Sequence, residues 1–153
     1  MKWTTLNFGK HAGFSLPQII LSDADWFFWA FYKEFLWGRL ADEADDLAAK
    51  AVAIKIPKPD AEHWEVEYRY EEDGRFCEFE FVRKDAPSYG AGYRRVSRLP
   101  YLDLSFIRRS RTYDKCGCRN LLRDFRRLYF GHRTRLSKRR CERFFSNRKN
   151  FLG

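Results

Sequence analysis

The sequence has little cysteine and no long hydrophobic run. Only four of its 153 residues are cysteine, and no basic leader precedes an apolar stretch with a small-residue cleavage site. The most apolar stretch, residues 24–36, contains three charged residues and is shorter than the roughly 20 apolar residues that span a bilayer. These absences argue against a secreted, disulfide-stapled domain and against a membrane protein, and they predict a cytoplasmic protein.

Acidic residues are scarce at the C-terminal end of the chain. Residues 93–153 contain nineteen basic and four acidic residues, a net charge of +15, and sixteen of the basic residues are arginine. Residues 1–60 and 61–92 carry net charges of −1 and −5. The guanidinium group matches phosphate and carboxylate in planar two-point contacts, whereas lysine offers a point charge. The C-terminal part therefore predicts a polyanionic partner or an acidic protein.

Aromatic residues are abundant, at 18% of the chain with fifteen phenylalanines, which argues against disorder in the first two thirds. At this length we expect one domain, 1–153, with a core large enough to need no disulfide. The prolines at positions 57 and 59 mark a candidate internal boundary near 57–60. Residues 108–153 are expected to form a basic, helical C-terminal part, and the sequence has no internal repeat.

The N-terminal part predicts three helices. Ser15, followed by Pro17, is typical of a helix start, and Ser22 before Asp23 indicates a second start. In the second helix, eight of the twelve positions 26–37 are aromatic, so we expect it to be buried on most sides, with Trp37 the most exposed. Residues 40–53 predict a third helix whose acidic residues form a solvated face.

Alternation of apolar and charged residues predicts a β-hairpin in the middle of the chain. Residues 63–70 place aromatic and aliphatic side chains on one face and mostly charged side chains on the other. Residues 71–74 supply the turn, residues 75–82 alternate again, and a third strand is predicted at 102–106. We expect an α+β fold in which N-terminal helices pack on a small antiparallel sheet with the central hairpin 63–82, followed by basic C-terminal helices.

Two basic helices are predicted at the C-terminal end. From Arg119, apolar residues recur at helical spacing up to Gly131, and Ser137 can cap a last helix. Basic residues cover the remaining helix surface, and phosphate neutralisation with counterion release supplies most non-specific affinity for nucleic acid. The candidate phosphate-binding residues are Arg119, Arg123, Arg126, Arg127, Arg133, Arg135, Arg139, Arg140 and Arg143. Aromatic residues among them either stack on unpaired bases or belong to the core. They are Tyr113, Tyr129, Phe130 and His132.

The N-terminal segment combines a glycine loop with an aromatic helix. Residues 8–13 are Phe-Gly-Lys-His-Ala-Gly, residues 16–19 are Leu-Pro-Gln-Ile, and residues 23–29 follow the pattern Asp-x-Asp-Trp-Phe-x-Trp. Over residues 5–30 the chain resembles the small Phe-Gly-Lys-Tyr-x-Gly module of exonuclease-X-type C-terminal domains and of small proteins described as quorum-sensing-regulated virulence factors. It has His11 and Trp26 where that module has tyrosine, and Phe27 where it has leucine. The resemblance implies an accessory module found beside nucleic-acid enzymes, and it carries no set of catalytic residues over to this chain.

The same glycine loop has two interpretations from its residues alone. Its two glycines permit a tight backbone turn in which Lys10 and His11 meet a phosphate, which adds Lys10 to the candidate phosphate-binding residues. Alternatively, the loop is a structural turn that packs Phe8 beneath the helix of Trp26.

Acidic residues of the hairpin predict a second interaction surface. Like charges near each other on neighbouring strands are unfavourable, so these glutamates require a cation. The arginine helices of the same chain, a metal ion or a basic partner protein could supply it. The residues are Glu65, Glu67, Glu78 and Glu80. With Asp60, the pair Glu78-x-Glu80 is similar to the acidic pattern of metal-dependent nucleases, although Glu80 stands where that pattern has lysine.

Three cysteines and one histidine match the number of ligands in a tetrahedral zinc site. They are Cys116, Cys118, His132 and Cys141. One residue separates the first pair, whereas two is usual, so ordinary core or free cysteines are the preferred interpretation and no cofactor is predicted.

Together these patterns predict a non-enzymatic accessory protein that binds DNA, RNA or a nucleoprotein complex through an arginine-rich helical surface, with no membrane involved. Two alternatives remain open at this point. A small protein of a phage or mobile element could inhibit a nucleoprotein complex through protein contacts, as anti-CRISPR proteins do as a class, using its arginine and glutamate surfaces together. A metal-dependent nuclease would instead use the acids of the hairpin.

Overall fold

The computed structural model describes residues 2–87, 95–106, 115–131 and 136–153. Within those residues it contains five α-helices and three strands, which confirms the α+β class. The helices are α1 (Leu16–Ile20), α2 (Ala24–Tyr32), α3 (Gly38–Ala51), α4 (Lys115–Phe130) and α5 (Lys138–Ser146). The strands are β1 (Trp64–Tyr70), β2 (Phe76–Arg83) and β3 (Arg95–Leu99). Single turns of 3₁₀-helix precede β1 at Ala61–His63 and follow α5 at Arg148–Asn150.

The strands form one antiparallel sheet in the order β2-β1-β3. The predicted hairpin is confirmed, with Tyr68 opposite Phe79 and a register shift between Arg69 and Tyr70. The third strand lies at Arg95–Leu99, so its prediction at 102–106 was wrong.

Residues 101–106, which follow β3, are not a strand of the sheet but a segment that packs against the end of α3 and against Tyr68. Leu102 forms an isolated bridge with Ile54, at the end of α3, and the Leu104 N–H donates to the carbonyl of Ala51 at 2.9 Å. The hydroxyl of Tyr68 donates to the Tyr101 carbonyl at 3.1 Å. The apolar alternation there marks a loop that fills the core between α3 and the sheet.

The N-terminal helices begin and end through local hydrogen bonds. The Gln18 side chain accepts from the N–H of Ser15 at 3.0 Å, which satisfies one N-terminal donor of α1. The N-cap of α2 is Asp23, which accepts from the Trp26 N–H at 3.2 Å, whereas Ser22 donates back to the Gln18 carbonyl. Helix α2 ends at Tyr32 because the chain turns through a left-handed residue, Glu34 with φ of 51°. The expectation of one helix through residue 37 was therefore wrong.

The buried apolar residues form one cluster that runs along the chain from Trp3 to Phe151. Its largest fully buried side chains come from the sheet and from several helices. They include Phe27, Phe28, Leu47, Tyr68, Phe79, Phe125 and Phe145. Burying an aliphatic or aromatic side chain of this size contributes about 1.5–3 kcal/mol, so packing holds the basic helices onto the sheet. Trp37 is 63% exposed, whereas Trp26 and Trp29 are half-buried, so α2 is not enclosed on every side.

Helix α4 packs along β2, which is an edge strand of the sheet. The Phe79 N–H of β2 donates to Asp124 Oδ2 at 3.1 Å, and the Arg127 guanidinium meets Glu80 at 3.1 Å. A covered edge cannot pair with another chain through those backbone groups. In the part of the chain that the structure describes, no helix is both long and apolar enough to cross a bilayer.

The acidic residues of α3, predicted to form a solvated face, are exposed in part, and one of them is buried. Asp42 and Asp45 are exposed, as a solvated face requires. Glu43 is 5% exposed and accepts hydrogen bonds from Thr4, at 2.9 Å from the backbone N–H and 2.6 Å from the hydroxyl. It therefore fastens the N-terminal segment to α3, which the sequence pattern did not predict.

Candidate nucleic-acid interface

Three of the predicted phosphate-binding arginines on α4 have partners within the chain. Arg126 donates to the Leu21 carbonyl at 3.0 Å, and Arg127 pairs with Glu80. Arg123 pairs with the adjacent Asp124 at 3.1 Å while its side chain remains 58% exposed. These residues tie α4 to α1 and to the sheet, so a contact to phosphate would compete with those bonds.

The remaining predicted arginines that the structure describes are exposed and form no ion pair with other described residues. Arg119 belongs to the first turns of α4, and its contact is a 3.5 Å hydrogen bond to Cys116 Sγ. On α5, Ser137 accepts from the Arg140 N–H at 3.3 Å and caps the helix. Because Cys141 and Phe145 of α5 enter the core, its basic residues project into solvent. We call the set Arg139, Arg140, Arg143, Arg148 and Lys149 the α5 basic surface. Arg133 and Arg135 lie outside the described residues.

A groove of about 370 Å³ adjoins the α5 basic surface and is lined by Tyr129, Phe130, Phe144, Arg140 and Arg143, with Asn147 and Asn150. Phe144 contacts the Phe130 ring at 5.6 Å between centroids, and both rings are half-buried. Tyr129 donates to the Lys55 carbonyl at 2.9 Å, and burial raises the pKa of its hydroxyl. Tyr129 is thus held by the Lys55 carbonyl at the margin of the core, and, like Phe130 and Phe144, it is half-buried. Tyr113 and His132 lie outside the described residues.

The acidic hairpin residues are neutralised mainly by arginines of the same chain. The register places Glu67 directly opposite Glu80, so the expected approach of like charges is present. Glu67 is fully buried, and its carboxylate accepts from Arg69 Nε at 2.9 Å and from Arg98 Nε at 2.8 Å. Arg69 also pairs with Glu78 at 2.6 Å. We call Glu67, Arg69, Glu78 and Arg98 the buried ion cluster.

The buried ion cluster changes the titration of its central acid. Burial by itself raises the pKa of Glu67, but hydrogen bonds and charges of Arg69 and Arg98 outweigh it and hold the pKa below the usual 4.5. Glu67 cannot contact a partner protein, and Glu78 and Glu80 already have cations. Glu65, the fourth predicted residue, is half-buried. Sequence reasoning anticipated the arginine helix, through Arg127, but missed Arg69, which lies two residues from Glu67 on the same strand face.

The candidate zinc ligands point to different parts of the structure. Cys116 is exposed, Cys118 is buried beside α2, and Cys141 of α5 is buried near Leu21. Burial raises the pKa of both Cys118 and Cys141 to about 11, so their thiols are protonated at neutral pH. His132 lies outside the described residues, among which no three potential ligands come together.

The candidate nuclease acids are likewise separated and occupied. Asp60 accepts from the Trp64 indole N–H at 3.0 Å and from Arg83 at 3.2 Å, at the start of β1. Glu78 and Glu80 are bound to Arg69 and Arg127 instead. Two-metal hydrolysis needs acids that converge on shared ions, and these carboxylates are directed to arginines.

The glycine loop closes on itself and packs against α2. The Leu6 N–H donates to the Phe14 carbonyl at 2.9 Å, and the Gly13 N–H donates to the Leu6 carbonyl at 2.8 Å. Phe8 stacks on Trp37 at 5.1 Å between centroids and contacts Phe35 at 6.0 Å, beyond the C-terminal end of α2. A structural role of the loop therefore fits the packing, with Phe8 beside the α2–α3 connection and not beneath Trp26.

Lys10 and His11 both reach Asp23 from this loop. Lys10 Nζ and His11 Nε2 lie 3.2 Å and 3.1 Å from Asp23 Oδ2, and the His11 ring meets the edge of Trp26 at 4.9 Å. Lys10 nevertheless stays 65% exposed. The loop therefore places one exposed cation next to the aromatic face of α2.

A cavity of about 720 Å³ lies between the glycine loop, α2 and the first turns of α4. It is lined by Lys10, Ser22, Asp23, Asp25, Trp26, Trp29, Lys33, Lys115, Cys118 and Arg119. We call it the tryptophan cavity. Sequence reasoning missed it because its walls come from three segments separated by up to about a hundred residues. The half-buried tryptophans at i and i+3 of α2 are the one local signal of it.

No protein-family model, curated protein or solved structure matches this chain in the comparisons. The resemblance of residues 5–30 to the Phe-Gly-Lys-Tyr-x-Gly module therefore stays a prediction.

Proposed function

We propose that this protein binds nucleic acid, without catalysing a reaction on it, through the α5 basic surface and Arg119. The supporting observation is the division among the arginines. Arg69, Arg98, Arg126 and Arg127 are bound to glutamates or backbone carbonyls. Arg119, Arg139, Arg140 and Arg143 are exposed without an ion-pair partner among the described residues. Exposed guanidinium groups on a helix whose other face is buried are suited to phosphate oxygens.

The contacts proposed are to the sugar-phosphate backbone. Such contacts position a protein on nucleic acid and release counterions, and they do not discriminate sequence. If four exposed arginines each contact one phosphate of duplex DNA, the logarithm of the binding constant falls with the logarithm of salt concentration with a slope of about −3.6. The aromatic groove beside Arg140 and Arg143 adds ring surface at the same place.

The inhibitor alternative required an accessible acidic surface on the hairpin. Glu67 is buried, and Glu78 and Glu80 are paired with arginines of the chain. No observation on the described residues therefore favours docking of that surface in a basic channel. The nuclease alternative loses support for the same reason.

The test compares two double variants with the same change in charge. Arg140→Glu with Arg143→Glu reverses two arginines of the α5 basic surface. Arg75→Glu with Lys84→Glu reverses two exposed residues on the sheet side: Arg75, which pairs with Asp73 in the hairpin turn, and Lys84, just after β2. Each variant lowers the net charge of +9 by four. Binding to fluorescent duplex and single-stranded DNA and RNA is measured across a salt series by anisotropy, and folding is checked by circular dichroism.

We expect the α5 variant to bind at least about tenfold more weakly and to reduce the salt slope by about two, because two phosphate contacts are removed. The hairpin variant should change affinity little. Equal losses in both variants would mean that only net charge matters, and unchanged binding by the α5 variant would refute the assignment.

A further inference from the structure

We propose that the tryptophan cavity is a nucleoside-phosphate site, in which Trp26 and Trp29 receive a nucleobase and the surrounding lysines and Arg119 meet its phosphate. This inference deepens the proposed function, on which it rests where the nucleotide belongs to a strand. Free nucleotides and unpaired nucleotides of a strand share this chemistry.

The two tryptophans are held in place by their neighbours. Trp26 and Trp29 lie three residues apart on α2, with ring centroids 6.2 Å apart. Phe35 contacts Trp29 at 5.2 Å and Trp26 at 6.4 Å, and His11 supports the edge of Trp26. Rings fixed on one side and facing a cavity on the other lose little freedom when a base stacks on them. Base stacking on aromatic rings is tolerant of base identity.

Four basic residues from three segments surround these rings. Lys10 comes from the glycine loop, Lys33 follows α2, and Lys115 and Arg119 begin α4. All four are exposed.

Of the two carboxylates in the lining, Asp23 is already engaged by Lys10, His11 and the Trp26 N–H, and Asp25 has an interaction partner as well. With four basic and two acidic residues, the lining carries a formal charge of +2 at neutral pH, which favours an anion.

Size and composition together select the ligand class. A volume of about 720 Å³ falls in the range of roughly 300–1,000 Å³ that is common for small-molecule and cofactor sites. A purely apolar ligand would make no use of the net positive charge of the lining, and an anion without an aromatic ring would leave the indole surfaces in water. A nucleobase with a phosphate satisfies both.

The cavity is placed so that a strand can reach it from the α5 basic surface. Arg119 lines the cavity, and Arg126 lies two turns further along the same face of α4, beside Cys141 of α5. The 16 residues of α4 span about 24 Å, and its last residues, Tyr129 and Phe130, line the groove of the α5 basic surface. A short single strand along α4 would connect the two.

The experiment measures three probes on the folded full chain. They are adenosine monophosphate, a short oligodeoxythymidylate, and an abasic oligonucleotide of the same length and charge. Binding is followed by quenching of tryptophan fluorescence and by calorimetry. The variants are Trp29→Leu and, as a matched control outside the cavity, Trp37→Leu, whose ring is 63% exposed.

We expect Trp29→Leu to weaken oligodeoxythymidylate binding by about 5- to 150-fold, the value of one stacked base, while Trp37→Leu leaves it unchanged. The abasic oligonucleotide should bind more weakly to the wild-type protein and should be insensitive to Trp29→Leu. If Trp29→Leu does not fold, Lys33→Glu replaces it, because Lys33 is exposed, and it should weaken binding of whichever of oligodeoxythymidylate and adenosine monophosphate the wild-type protein binds.

Equal affinity for the abasic and base-containing strands, or no effect of the cavity variants, would overturn the proposal. Binding of the strand without adenosine monophosphate identifies an unpaired nucleotide of nucleic acid as the source, and equally tight binding of both identifies a free nucleotide. Failure of the proposed function is seen separately. If the protein binds adenosine monophosphate but no nucleic acid, the cavity proposal stands and the proposed function of the α5 basic surface is refuted. If it binds abasic and base-containing strands equally well, the proposed function stands and the cavity proposal is refuted.

Discussion

Replacing Glu67 by glutamine tests whether the buried ion cluster stabilises the sheet. The substitution keeps the shape of the side chain and removes one negative charge. In the wild-type protein the two carboxylate oxygens accept from Arg69 and Arg98 at 2.9 Å and 2.8 Å. The glutamine amide retains one acceptor oxygen but directs N–H donors towards a guanidinium group, which is itself only a donor.

The expected cost follows from what each arginine keeps. Removing one partner of a buried ion pair costs about 3–5 kcal/mol. Arg69 keeps Glu78, and Arg98 keeps the carbonyls of Ala86 and Pro87 at 2.9 Å and 3.1 Å. Because neither guanidinium is left without an acceptor, we expect the lower end, about 3 kcal/mol, which corresponds to a fall in the unfolding midpoint of about 6–12 °C for a chain of this length.

The assay is urea and thermal unfolding of the wild type, Glu67→Gln and the matched control Glu62→Gln. Glu62 has a side chain that is 70% exposed, and surface substitutions of this kind usually stay within about 0.5 kcal/mol. A Glu67→Gln variant as stable as the control at neutral pH would refute the reasoning that the cluster contributes to stability.

Acid unfolding supplies a second test of the same carboxylate. The pKa of Glu67 in the folded state lies below the usual 4.5, so protons bind more readily to the unfolded chain. Its contribution to the free energy of unfolding is therefore fully present above about pH 4.5 and is lost as the pH falls through the folded-state pKa. The stability difference between wild type and Glu67→Gln should narrow only below that pH, and a difference that stays constant on acidification would contradict the pairing.

Three further predictions concern other buried groups and one turn. Burial raises the pKa of Asp124 against the opposing hydrogen bond from the β2 backbone and the nearby arginines. The stability of the wild type relative to Asp124→Asn, measured by urea unfolding, should therefore decrease as the pH rises above about 3.8 and through the raised folded-state pKa, and an increase would contradict this. Burial raises the pKa of Cys118 and Cys141 to about 11, so iodoacetamide should modify the exposed Cys116 well before either of them. Mass spectrometry measures the rates, and equal rates would mean that the thiols of Cys118 and Cys141 are accessible. Gly13 has φ of +90°, so Gly13→Ala should destabilise the protein by about 1 kcal/mol in thermal unfolding, and an unchanged midpoint would show that the loop adapts.

Local sequence patterns were sufficient for most of the secondary structure. The alternation of residues 63–82 predicted the hairpin because side chains on a strand point to opposite faces with a period of two. Ser15 and Ser137 marked the starts of α1 and α5 because helix caps act within one turn. The same patterns failed in two places. The second helix was predicted to continue to residue 37, but Glu34 adopts a left-handed conformation that is unusual for a residue other than glycine. A strand was predicted at 102–106, where the apolar residues are buried in a loop.

For the candidate nucleic-acid interface, too, one part could be predicted from the sequence and another part could not. The sequence by itself determined the class of surface, since an excess of arginine over acids in residues 93–153 is a property of composition. It could not tell which arginines are exposed, because Arg127 meets Glu80 across 47 positions of the chain, and Arg126 meets Leu21 across 105.

The sequence by itself therefore determined two properties of this protein. One is its secondary structure, which depends mostly on residues a few positions apart, and the other is its distribution of charge, which follows from composition. The tertiary structure decided that Glu67 is a buried partner of arginines and not a docking residue. It also brought Lys10, Trp29 and Arg119 to one cavity. Both outcomes arise from packing between distant segments, because a hydrogen-bonded ion pair forms only where packing brings its atoms to about 3 Å.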